Sequence, residues 1–182
     1  MIQFNKSKLI LTLSLSLFFS FIYAQTASED SLKIEWLTWE EAVEKQEENE
    51  KKILLEVYTE WCTWCKKMDD RTFANESLVN YINDNYYAVK LDAQYKEPIE
   101  YNGKTYKYIK NKSRGYHELA GYLLMGRMSY PSIVFMDENL KTIQAIAGYK
   151  TAKELKVILA YFATNKYKSI PWEKYQNEYA RK

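Results

Sequence analysis

The 182-residue chain holds two cysteines, Cys62 and Cys65, within the stretch EVYTEWCTWCKKMDDRTF (residues 56–73). Two thiols at this spacing have three chemical uses: dithiol–disulfide exchange, shared ligation of a metal, or a staple across a turn. As a staple the pair is poor. Closing a loop of about four residues contributes roughly 2 kcal/mol in chain-entropy terms, against nearly 5 for a 100-residue loop. A structural zinc site takes four ligands. Beyond the cysteines the chain offers one histidine, His117, more than fifty residues on in a stretch that reads as helix. Two-thiolate Cu(I) ligation with Met125 or Met128 is the other metal option, but both methionines suit packing better. Exchange chemistry is the strongest reading, and it depends on where the chain puts the sulfurs.

The elements around the pair are legible. KKILLEVY is a short apolar run rich in strand formers, consistent with a buried central strand. A helix running to about Phe73 follows the motif. A sulfur at the first turn of that helix meets unpaired backbone N–H groups and the positive end of the helix dipole. Both favour a thiolate, the form that attacks disulfides. A thiol pKa lowered from about 8.5 to about 7 raises the thiolate at pH 7 from roughly 3% to roughly half, for about 2 kcal/mol.

Thr38 with Glu41, and Thr151 with Glu154, form capping boxes that start two helices. Asn75 caps another, ESLVNYINDN, with Leu78, Val79 and Ile82 on one face. YYAVKLDA predicts a second strand. Asn102-Gly103 predicts a tight hairpin between IEY and TYKYI, inside a Lys- and Tyr-rich segment over residues 94–114. GYHELAGYLLMG predicts a helix. PSIVFMDENLKTIQAIAGY predicts strand, turn and strand, and Trp172, Tyr175 and Tyr179 recur at helical spacing in a tail packed on the domain. This order predicts an α/β sandwich with a mixed sheet, parallel across the cysteine helix and antiparallel in the last hairpin.

The motif and its surroundings resemble the thioredoxin superfamily. ILLEVYTEWCTWCKKM places an acid six residues before the first cysteine, followed by Trp-Cys-x-x-Cys-Lys; YYAVKLDA is similar to the next strand, whose lysine faces that acid. SYPSIVFMDENLK is similar to the segment that holds the superfamily's cis-proline, and Gly148 to its late glycine. The form resembles exported thioredoxin-related proteins. The resemblance implies a three-layer α/β/α sandwich over residues 32–168, with the 94–114 hairpin as an insertion. Thr63-Trp64 replaces the usual Gly-Pro, Glu56 replaces the commoner Asp, and Tyr130 stands where Thr usually precedes the proline.

The resemblance implies a role for each residue. Cys62 is the attacking thiolate and Cys65 the resolving thiol. Glu56, buried beneath them with a raised pKa, accepts the proton of Cys65, and Lys90 limits the cost of burying it. Tyr130 and Pro131 form the edge on which an extended client segment lies, and Trp61 and Trp64 supply an apolar surface around Cys62. No metal or other cofactor is implied, because the cysteines carry the electrons. Reduction of client disulfides is the expected activity. Oxidase or isomerase activity, or a redox-sensing or Cu(I)-carrying role, are the alternatives.

Met1 to Lys8 carries Lys6 and Lys8 and no acid; Leu9 to Tyr23 is apolar apart from Ser and Thr, and Ala24 is small. This is the layout of a secretory signal peptide, with 25–31 as a polar lead-in. The apolar run is shorter than the roughly 20 residues that span a bilayer. Without those 24 residues the chain has 158, with 24 basic and 24 acidic residues. A neutral domain argues against a nucleic-acid partner. The expectations are a periplasmic or secreted protein with no stable membrane insertion. Its partners would be disulfide-containing exported clients and a redox protein that donates electrons.

Overall fold

Strand β2, Lys52–Tyr58, is buried at six consecutive positions, which only a strand covered on both faces can satisfy. A computed structural model describes residues 32–111 and 114–179. The predicted signal peptide and lead-in lie outside the described residues. β2 pairs in parallel with β3 (Tyr86–Asp92) and antiparallel with β8 (Ser132–Met136), which pairs antiparallel with β9 (Thr142–Ala147). A two-residue strand, β1 (Trp36–Leu37), adds in parallel at the outer edge of β3. The sheet order is β1-β3-β2-β8-β9. The parallel β2–β3 pairing and the antiparallel β8–β9 hairpin are those expected from the sequence; the β2–β8 pairing is not among its expectations. Nor is β1, because two residues carry no periodicity.

Alternation along β2 builds two cores. Ile53, Leu55 and Val57 face Trp39 and Ala42 of helix α1 (Trp39–Glu48) and Leu119 and Leu123 of helix α4 (Glu118–Leu123). On the other face, Leu54, with Ala88, Ile133 and Phe135, meets Met68 of α2 (Thr63–Arg71), Leu78 and Ile82 of α3 (Glu76–Asn85), and Leu155 and Leu159 of α5 (Ala152–Ala163). The result is the α/β/α sandwich. Both capping boxes form, Thr38 with Glu41 and Thr151 with Glu154. Tyr86 is buried in the second core and its hydroxyl donates to the Leu159 carbonyl at 2.6 Å, which satisfies that buried hydroxyl. Helix α6 (Trp172–Tyr179) lies against α5, with the Trp172 and Tyr175 rings 5.2 and 4.9 Å from Tyr161.

The insertion is more elaborate than one hairpin. Strands β4 (Ile99–Tyr101) and β5 (Lys104–Tyr106) pair around Asn102 and Gly103, both at positive φ, as a tight primed turn requires. TYKYI does not continue as one strand. Lys107 and Glu118 exchange hydrogen bonds: the Lys107 N–H donates to the Glu118 carboxylate, and the Glu118 N–H donates to the Lys107 carbonyl. This breaks the run, and β6 (Tyr108–Ile109) pairs instead with β7 (Tyr116–His117). Among the described residues, no helix is long and apolar enough to cross a membrane.

Candidate active site

The β2 strand ends at Tyr58, and the chain turns through Thr59, whose carbonyl accepts the Cys62 N–H at 3.0 Å. Cys62 is the N-cap of α2 and its sulfur accepts the Cys65 N–H at 3.0 Å. The first turn of α2 contains no acidic side chain, so nothing there opposes a negative sulfur. Cys62 is 5% exposed and Cys65 1%; the two are joined as a disulfide. The more accessible sulfur is therefore also the one held against a backbone donor, and the inner one is shielded.

Glu56 and Lys90 are register partners on β2 and β3. Glu56 lies on the same face as Leu54, under α2, and is fully buried. Lys90 Nζ is 3.4 Å from Glu56 Oε2, yet neither carboxylate oxygen is hydrogen-bonded. Burial pushes the Glu56 carboxyl up to about 7; Lys90 pulls it down, and the Asp69 charge pushes it further up. A carboxyl in this state exchanges its proton near neutral pH.

The Tyr130–Pro131 bond is cis, and Tyr130 lies just outside the ladder that β8 begins at Ser132. Pro131 is buried, and its carbonyl accepts the Gly148 N–H at 2.7 Å. Gly148 adopts φ +83° there, a conformation that favours glycine. The Tyr130 ring meets Trp61 edge-on at 6.0 Å.

The sequence matches the thioredoxin-like domain family over residues 39–163. The chain belongs to that family. Among solved structures, it is similar to a thioredoxin-fold protein from Helicobacter pylori, at 21% identity and TM-score 0.53 over 73% of this chain and 81% of that one. It is also similar to a DsbH oxidoreductase (19%, TM-score 0.50, 76% and 90%) and to a putative disulphide-isomerase from Bacteroides thetaiotaomicron (19%, TM-score 0.50, 74% and 95%). These likenesses concern the fold. An uncharacterized protein of Caenorhabditis elegans is 35% identical over 68 residues, and spermatogenesis-associated protein 20 of Rattus norvegicus 29%. The chain spans 9% of the length of these curated relatives, and the matched segment is 37% of this chain.

Within this thioredoxin-like site the sequence reading missed Asp69. Its Oδ1 is 2.6 Å from Lys90 Nζ, closer than Glu56 is. Lys90 is thus shared, and it also sits 4.9 Å over Trp36 and 5.2 Å over Tyr58. The available signal was spacing, since Asp69 follows Cys65 by four residues and so lies on the same helix face. Asp69→Asn should free Lys90 for Glu56 and remove a like charge, lowering the Glu56 pKa. The pH midpoint of any Glu56-dependent step should move to lower pH. A rate–pH profile with an unmoved midpoint would reject the coupling.

His117 is not the helix residue expected from the sequence. It ends β7 and caps α4, with Nδ1 accepting the Leu119 N–H at 3.2 Å and Nε2 3.1 Å from the Glu97 carbonyl. This pairing assigns the proton to Nε2, and burial lowers the imidazole pKa. Both ring nitrogens are engaged by the insertion and by the helix cap, which leaves neither for a metal at the cysteines. Met128 packs against the first core, as its packing role predicts. Met125 is exposed.

Proposed function

We propose that the chain is a thiol:disulfide oxidoreductase that reduces disulfides of exported proteins. The observation that carries this reading is Cys62, the more exposed of the two cysteines, with its sulfur at a helix N-cap, paired with the more deeply buried Cys65, over a buried carboxyl poised near neutral pH. The Cys62 thiolate attacks one client sulfur, forming a mixed disulfide and releasing the other as a thiolate. Glu56 takes the proton of Cys65, whose thiolate then attacks the Cys62 sulfur. The Cys62–Cys65 bond forms, the second client thiolate leaves, and two electrons have passed to the client. Tyr130 and Pro131 present the strand edge, and the cysteines carry the electrons without a cofactor. An electron-donating redox protein restores the dithiol.

The basic start and apolar run ahead of Ala24 support export to the periplasm or beyond. The printed descriptions of two structural neighbours, an oxidoreductase and a putative disulphide-isomerase, accord with the chemistry. Reductase and oxidase differ in potential by about 150 mV, or roughly 7 kcal/mol. The Glu56–Lys90 pair, which supports deprotonation of the resolving thiol, favours reduction. Equilibration of the Cys62–Cys65 couple with glutathione should give a potential at the reducing end, nearer about −270 mV than about −120 mV. The reduced chain should also cleave insulin disulfides, and Cys62→Ala should not. A strongly oxidising potential would overturn the direction, and insulin cleavage by Cys62→Ala would overturn the site.

A further inference from the structure

The insertion between β3 and α4 reaches the cysteine motif through its two ends. Gln94 Oε1 accepts the Trp61 indole N–H at 3.0 Å, and its Nε2 donates to the Gly115 carbonyl at 3.3 Å. The Arg114 guanidinium lies 4.4 Å over the same indole, whose other neighbour is Tyr130. On the helix side of the motif, Trp64 carries Lys67 at 4.5 Å and leans on Tyr149 at 5.5 Å. Each tryptophan next to a cysteine is therefore held in place and topped by a cation.

Packing alone explains little here. Trp61 is 50% exposed and Trp64 54%, so much of each ring faces water although its position is fixed by neighbours. Among the described residues neither Arg114 nor Lys67 makes an ion pair. A guanidinium stacked on an indole keeps its N–H edge for an anion. Of the nearby acids, Asp92 is tied to the Gln94 N–H at 2.8 Å. Glu60 is exposed and in no ion pair among the described residues. The rim thus offers apolar ring surface with a cation beside each of its two halves.

We propose that this rim selects an extended client segment with carboxylates on both sides of its reactive cysteine, Arg114 receiving one and Lys67 the other. The insertion is then a specificity element, acting through Gln94 and Arg114 at its ends rather than through the lysines along it. The proposal rests on the oxidoreductase reading, and its test separates the two.

Two synthetic peptides, each dimerised through a single cysteine, would carry either acidic or basic residues on both sides of it. Reduction by the full chain would be compared as kcat/KM, each divided by the rate with dithiothreitol to remove intrinsic reactivity. The acidic peptide should be favoured about tenfold at low salt, falling to about threefold or less near 0.3 M salt as screening sets in. Arg114→Gln with Lys67→Gln should bring the ratio close to one. Equal rates for both peptides, or a ratio unchanged in the double variant, would overturn the specificity proposal and leave the oxidoreductase standing. Failure to reduce either peptide would overturn both.

Discussion

Glu56→Gln is expected to stabilise the folded chain above neutral pH while slowing client release. The Glu56 carboxyl is pushed from 4.5 up to about 7 by burial. Below pH 4.5 it is protonated folded and unfolded alike, and contributes no pH dependence. Between pH 4.5 and 7 the unfolded chain gives up that proton and the folded chain keeps it, so stability falls as pH rises. Above pH 7 the loss levels off at about 3 kcal/mol. Glutamine has no proton to lose, and Lys90 keeps Asp69 as its partner at 2.6 Å, so the substitution leaves no orphaned cation. Urea midpoints of the oxidised protein should therefore diverge in favour of the variant between pH 4 and pH 8. In the same variant, attack by Cys65 loses its proton acceptor and should slow about 100-fold, with the pH dependence near 7 gone. Parallel urea midpoints at both pH values would remove the buried-carboxylate account. An unchanged release rate would remove the base role while leaving the stability result intact.

Cys65→Ser should convert turnover into capture. Cys62 keeps its N-cap position, so the first attack proceeds and a mixed disulfide accumulates. Release then depends on an external thiol. Well-oriented intramolecular groups reach effective molarities of about 10⁵ M, so millimolar thiol should leave multiple turnover slower by about 10³-fold or more. Mass spectrometry of the variant mixed with a disulfide peptide should show the covalent adduct, and Cys62→Ser should show none. An adduct on Cys62→Ser of equal yield would reverse the assignment of the two sulfurs.

The opposite fates of these two cysteines were readable from local order alone. A strand running into CxxC and then a helix puts the first sulfur at the N-cap, and the structure has it accepting the Cys65 N–H. Glu56 and Lys90 were also legible, through the resemblance to the thioredoxin superfamily, whose next strand carries a lysine facing that acid; the structure pairs them in register. Glu41 and Glu154 reach back to their caps as their spacing requires. The caps and the cysteine positions depend on neighbours a few residues away, and the strands on short apolar runs.

Other features depended on contacts across long separations. Asp69 competes for Lys90 from 21 residues away, and only the packing of α2 over β3 brings them together. His117 read as part of a helix because it falls within GYHELAGYLLMG; the pairing of β6 with β7 holds it in a strand, and its ring accepts the Leu119 N–H as the cap of α4. The insertion read as a single hairpin with a basic surface, yet its ends meet Trp61 through Gln94 and Arg114.

From the sequence, through its motifs and the resemblance they carry, this protein's fold class and the roles open to its cysteines follow, because apolar strand runs, capping and helix polarity act over short stretches of chain. Tertiary structure decided how the Lys90 charge is divided between Glu56 and Asp69 and which surfaces frame Cys62. Those depend on distances of a few ångströms between side chains far apart in the sequence, where electrostatic energy changes most steeply.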